Sequence, residues 1–128
     1  MGVRTLEVTN PDQLDLVRIA EESSEEEDLP RYDRTLPLEI WYPAVAGGEP
    51  TPYHVYLRDG ETLVEVRGRA SCDARPDHSD APYPLILVSH GYPGNRYLMS
   101  HLAENLASKG YVVASIDHTD STYRTRAA

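Results

Sequence analysis

The chain has 128 residues, 40% of them hydrophobic, which suits one small domain with a modest core. Its 21 acidic against 12 basic residues give a formal charge of −9, which argues against a nucleic-acid partner, since phosphates need a basic face. No apolar run is long enough to cross a bilayer and the start, MGVRTLEVTN, lacks the apolar core of a signal peptide, so no membrane span and a cytoplasmic location are expected.

Val3 to Val8 (VRTLEV) alternates as a short strand. Asn10-Pro11-Asp12 fits a helix cap, yet Leu14, Leu16 and Ile19 fit extended spacing as well, and both readings stay open. Glu21 to Asp28 (EESSEEED) reads as a solvated acidic loop, because like charges resist packing. Thr35 to Tyr42 (TLPLEIWY) places Leu36, Leu38, Ile40 and Tyr42 on one face of a strand that Pro43 ends. Tyr53 to Arg58 and Thr62 to Arg67 flank Asp59-Gly60, a pair suited to a tight hairpin turn. Ser71 to Pro82 is polar and irregular. It holds the single cysteine, Cys72, whose neutral-to-acidic setting argues for an incidental thiol.

Leu85 to Ser89 is a continuous apolar run of the kind buried on both faces of a parallel sheet. Tyr97 to Lys109 predicts a helix with Leu98, Leu102 and Leu106 beside Met99, Ala103 and Ala107 on its inner side. Asn95 is its expected cap, and Lys109-Gly110 its expected end. Tyr111 to Ile116 (YVVASI) predicts a second buried strand, so Leu85 to Asp117 forms one βαβ unit. The fold class is α/β.

In open parallel sheets ligands bind beyond the carboxyl ends of the strands, and His90-Gly91-Tyr92-Pro93-Gly94 leaves one such end. The stretch matches neither G-x-G-x-x-G nor G-x-x-x-x-G-K-[ST], which disfavours a dinucleotide or a P-loop site. An anion site built from backbone N–H groups remains, and the best-known catalytic form of it is an oxyanion hole.

PLILVSHGYPGNRYLMSHLAENLASKGYVVASIDH (Pro84 to His118), with RTLPLEIWYPA (Arg34 to Ala44) upstream, resembles the early core of the α/β-hydrolase superfamily. More narrowly it resembles the dienelactone hydrolase-like and platelet-activating-factor acetylhydrolase-like branch. The resemblance implies the N-terminal portion of an α/β-hydrolase fold, a mostly parallel sheet with an early antiparallel hairpin. Its segments would be 1–34, an N-terminal strand and acidic loop; 35–82, the early strands and hairpin; 83–118, the βαβ unit; and 119–128, a tail. It also implies that the residue after His-Gly, here Tyr92, supplies one oxyanion-hole N–H, with His90, Gly91 and Gly94 supporting the loop. The substrate would be a small-molecule ester and no cofactor is implied.

No G-x-S-x-G or G-x-C-x-G occurs in the 128 residues, so the serine nucleophile, acid and base of the triad are expected outside them, and the chain alone is expected to be inactive. Ser89 is read as a packed strand residue rather than a nucleophile, and His90 as ordering the corner through hydrogen bonds. Asp117 is read as bracing the loop after it, since neighbours on a strand point to opposite faces and make a dyad with His118 doubtful. His90, His101, His118 and Asp120 match no zinc spacing, so no metal is expected. Two readings remain: part of a carboxylic-ester hydrolase, or an inactive remnant or binding module using the same corner. In the resembling fold Leu85–Ser89 lies inside the sheet, between the strand matching Tyr111–Ile116 and the nucleophile strand. Without the latter it would be an apolar edge open to self-association.

Overall fold

A computed structural model describes residues 1–22 and 29–124; most of the acidic run Glu21–Asp28 therefore lies outside the described residues. The elements are β1 (Gly2–Leu14), α1 (Leu16–Glu22), β2 (Arg31–Tyr42), β3 (Tyr53–Tyr56), β4 (Leu63–Val66), β5 (Ser71–Cys72), β6 (Leu85–Ser89), α2 (Ser100–Ala107) and β7 (Val112–Ile116). Five strands form one sheet in the order β5-β1-β2-β7-β6, while β3 and β4 pair separately. The α/β class holds, with a mixed sheet: β1–β2 and β2–β7 run antiparallel, β1–β5 and β6–β7 parallel. No helix among the described residues is long and apolar enough to cross a membrane.

The open question at Asn10-Pro11-Asp12 resolves to strand. The ladder with β2 shifts register between Asn10 and Gln13, and Asp12 takes φ 55° there. Such a bulge lets β1 continue past Pro11, which has no N–H to give the ladder. The short helix begins only after Asp15, whose carboxylate accepts the Arg18 N–H at 3.1 Å. The Asp59-Gly60 hairpin forms, but its loop is wider than a two-residue turn. Leu57 N–H still bonds Thr62 C=O at 2.9 Å, Asp59 accepts from the amides of Glu61 and Thr62, and only Gly60 takes positive φ.

The core is built on one face of the sheet. Trp41 and Val113 are fully buried under α2, whose Ala103 and Ala107 let it approach closely. Here the sequence reading holds for Ala103, Ala107 and the half-buried Leu106 and fails for the rest. The buried stripe of α2 is Ser100, Ala103, Glu104 and Ala107, whereas Leu98, Met99 and Leu102 are exposed. Small residues win this face because the Trp41 indole already fills it. Glu104 is tolerated there because its Oε1 accepts from the Tyr53 hydroxyl at 2.5 Å and from the amides of Arg69 (2.7 Å) and Ala70 (3.1 Å). The Trp41 indole N–H donates to that same hydroxyl at 2.8 Å, so one buried carboxylate ties the β3–β4 hairpin to the helix and the sheet.

The opposite face has no helix over it among the described residues. Leu6 pairs across from Leu38, and Leu87 from Ala114, on this side. Leu85 (62%) and Leu87 (66%) are exposed, so β6 is not buried on both faces as its composition suggests. Likewise Leu38 and Ile40 are only half-buried, while Glu39 and Trp41, on the other side of β2, point into the core.

Candidate functional site

β6 and β7 are parallel and in register, with Ser89 opposite Ile116, so His90 and Asp117 leave the sheet side by side. The His90 imidazole bridges the two exits. Its Nε2 accepts the His118 N–H at 3.1 Å, so the neutral ring carries its proton on Nδ1, which lies 2.8 Å from the Gly91 carbonyl and donates to it. These two bonds join the His90 ring to both strand exits.

Gly94 is buried, and a Cβ there would sit 2.8 Å from His90 Nδ1 and 2.9 Å from the Gly91 oxygen. The corner therefore needs glycine at 94 for close approach rather than for a left-handed turn. Neither Gly91 nor Gly94 has positive φ, and a Cβ at Gly91 would meet nothing within 4 Å. Gly94 is also tied to the tail: its N–H bonds Ser121 C=O at 3.1 Å and its C=O accepts from Tyr123 N–H at 3.2 Å. Between these glycines Tyr92 is 66% exposed, and the Tyr92–Pro93 peptide is cis. Its amide stands beyond the last rung of the β6–β7 ladder and ahead of α2.

Two polar groups sit differently from expectation. Ser89 is not packed: it lies on the exposed side of β6 with Oγ 2.7 Å from His118 Nε2. Burial, then the neighbouring His90 and Arg34, push the His118 pKa below the ordinary imidazole value, so this ring is neutral at pH 7. Asp117 braces the loop before α2 rather than the one after itself. Its Oδ1 accepts the Arg96 N–H at 2.6 Å and its Oδ2 pairs with Arg96 Nη1. His101 is exposed on α2, apart from the His90–His118 pair whose rings lie 4.8 Å apart.

Arg96 and Glu39 were missed from sequence. Arg96 Nε reaches Glu39 Oε2 at 3.1 Å, and that oxygen also accepts from the hydroxyls of Tyr97 (3.0 Å) and Thr5 (2.9 Å). Burial and the Glu39 charge push the Tyr97 hydroxyl up to about 12. The guanidinium thus joins β2, β7 and the start of the helical turn, and fixes where the corner ends. The available signal was Glu39 itself, a carboxylate beside Trp41 on the same side of an alternating strand.

Chemically, the corner is a strand exit held by side-chain bonds on both sides. It offers no nucleophile on a strand-to-helix elbow. Among the described residues no group of three or more metal-ligating side chains comes together.

Residues 36–127 match the family model described as platelet-activating factor acetylhydrolase, isoform II. A platelet-activating factor acetylhydrolase of Gallus gallus is 33% identical over 73 residues, which are 54% of this chain and 17% of that protein. A dipeptidyl aminopeptidase BIII of Pseudoxanthomonas mexicana is 39% identical over 75 residues, 56% of this chain and 11% of its own. The solved structure of a ferulic acid esterase from Streptomyces cinnamoneus superposes with a TM-score of 0.67 at 27% identity, over 94% of this chain and 34% of that one. The chain thus spans about a sixth or less of these curated relatives, and about a third of the esterase.

Proposed function

This chain belongs to the platelet-activating factor acetylhydrolase family, and on that premise we propose that it is part of a carboxylic-ester hydrolase acting through a serine nucleophile, with the Tyr92 N–H as one donor of the oxyanion hole. Two of the similar proteins are named as an acetylhydrolase and an esterase, which favours small-molecule esters over peptides as substrates. One observation supports the reading: at the end of β6, Gly94 packs against His90 and the turn carrying Tyr92 lies past the last rung of the β6–β7 ladder. His90, Gly91 and Gly94 act as supports of the Tyr92 amide. Since no G-x-S-x-G occurs in the 128 residues, the nucleophile, acid and base come from outside them, and no cofactor is needed. We also propose that the 128-residue chain self-associates through the β6 edge.

The reading predicts that the purified 128-residue chain neither hydrolyses an activated acetate ester above a denatured control nor takes a fluorophosphonate label. In a protein that carries the chain together with a G-x-S-x-G segment, Tyr92→Pro removes the N–H and Tyr92→Ala keeps it. A loss in kcat of roughly 100-fold or more for the first, and not for the second, is the expected pattern. Equal rates for the two variants would remove the amide from the mechanism.

A further inference from the structure

Beyond the ester chemistry, we propose that the groove between the β3–β4 hairpin and the turn leading into α2 binds a small amphipathic anion, an aromatic or short acyl body bearing one carboxylate or sulfonate. Two cavities lie side by side there, of about 490 Å³ and about 270 Å³. They share Val55, Tyr56, Asn95, Tyr97 and Tyr123, and their size suits one small organic ligand rather than a polymer. The hairpin closes on Tyr123, a residue of both cavities: a Cβ at Gly60 would be 2.6 Å from the Tyr123 carbonyl oxygen.

Charge complementarity selects the occupant. The chain carries a formal charge of −9, yet five of its eleven arginines line these two cavities. Arg96 is neutralised by Glu39 and Asp117. Glu104, the one carboxylate among the described residues lining the larger cavity, is taken up by Tyr53 and two backbone amides. Among the described residues no carboxylate pairs with Arg67, Arg69 or Arg124; the Arg124 guanidinium instead lies 5.0 Å over the Tyr56 ring. Leu57, Val66 and Leu98 supply apolar walls beside these cations. A cationic rim over apolar and aromatic walls would attract an anion and shield its body from water, whereas a cation would be repelled.

The probe is 1-anilinonaphthalene-8-sulfonate, and the comparison is its uncharged analogue N-phenyl-1-naphthylamine, both titrated into the 128-residue chain. The expected result is saturable one-site binding of the sulfonate, at least tenfold tighter than the analogue. Amide shifts should gather at Val55, Tyr97, Leu98 and Tyr123. Arg67→Gln with Arg69→Gln should weaken the sulfonate at least tenfold and leave the analogue unchanged, whereas Arg75→Gln should change neither. Raising salt should weaken the sulfonate alone, which keeps the test decisive even if the double variant folds poorly. Shifts confined to Leu6, Leu38 and Leu87 on the open sheet face, equal affinities for the two probes, or an unchanged double variant would each overturn the proposal. None of these readouts involves turnover, so the outcome is independent of the ester-hydrolase reading.

Discussion

Removing the Arg96 guanidinium would leave Glu39 and Asp117 facing each other with 6% and 13% of their side chains exposed. Arg96→Gln is therefore expected to cost roughly 3 kcal/mol, the low end for breaking a buried pair, because Arg96 itself keeps 19% exposure. Urea unfolding measures this, and Arg96→Lys, which keeps the charge and loses the fork, should fall between. The second prediction at this scale concerns His118. Its folded pKa is depressed, so the unfolded chain takes up the proton first as pH falls. Stability is thus full above the ordinary imidazole value of about 6.5 and is lost as pH drops below it. Melting temperatures at neutral and mildly acid pH should fall less in His118→Asn than in the parent chain; an equal fall would show that His118 does not carry the effect. The pairing of Arg96 with Glu39 was not legible in the sequence, although Glu39 in an apolar strand was a signal. Arg96 follows a turn of Gly, Pro and Asn, and Glu39 occupies the alternate position of an apolar strand, where solvent is the default assumption. Only the folded sheet reveals that they meet.

The elements were legible where one force dominates. β6 and β7 came out within a residue of expectation, because a five-residue apolar run between turn signals has few other uses. α2 came out in part, because Ala103 and Ala107 face the Trp41 ring as expected, whereas Leu98, Met99 and Leu102 are exposed and Ser100 and Glu104 are buried instead. The helix also begins at Ser100 instead of Tyr97, since Asn95 spends its side chain on the Tyr97 amide at 2.9 Å and opens a turn. Two substitutions test this level. Tyr53→Phe strips a partner from both the Trp41 N–H and Glu104, at about 1–3 kcal/mol, and should loosen the hairpin before the sheet. Hydrogen exchange at Val55 and Val64 set against that at Val113 would register the order of loss. Gly94→Ala must push a Cβ against His90 Nδ1, so the His118 amide, bonded to the other nitrogen of that ring, should shift in NMR spectra.

At the scale of the whole molecule, the sheet has one covered face and one open face among the described residues. The open face carries Leu6, Val8 and Leu38 on β1 and β2, and Leu85 and Leu87 at the edge strand, more apolar surface than a lone monomer comfortably presents to water. An edge of this kind recruits another strand. Size-exclusion chromatography at micromolar concentration should show dimers or larger species, and Leu87→Lys should shift them toward monomer; a parent chain that elutes as a sharp monomer peak would refute the self-association. The clamp on the corner also has an evolutionary consequence. The buried charge that follows the corner is Arg96, tied to Glu39 and Asp117, while the side chain at 92 is 66% exposed. Under the proposed function, the exposed side chain at 92 and the framework at 96 fall to separate codons. In a randomised library selected for folding, position 92 should accept far more residues than position 96, where almost none but arginine should survive, so that lineages sharing this corner can vary its exposed tip without rebuilding the scaffold beneath it.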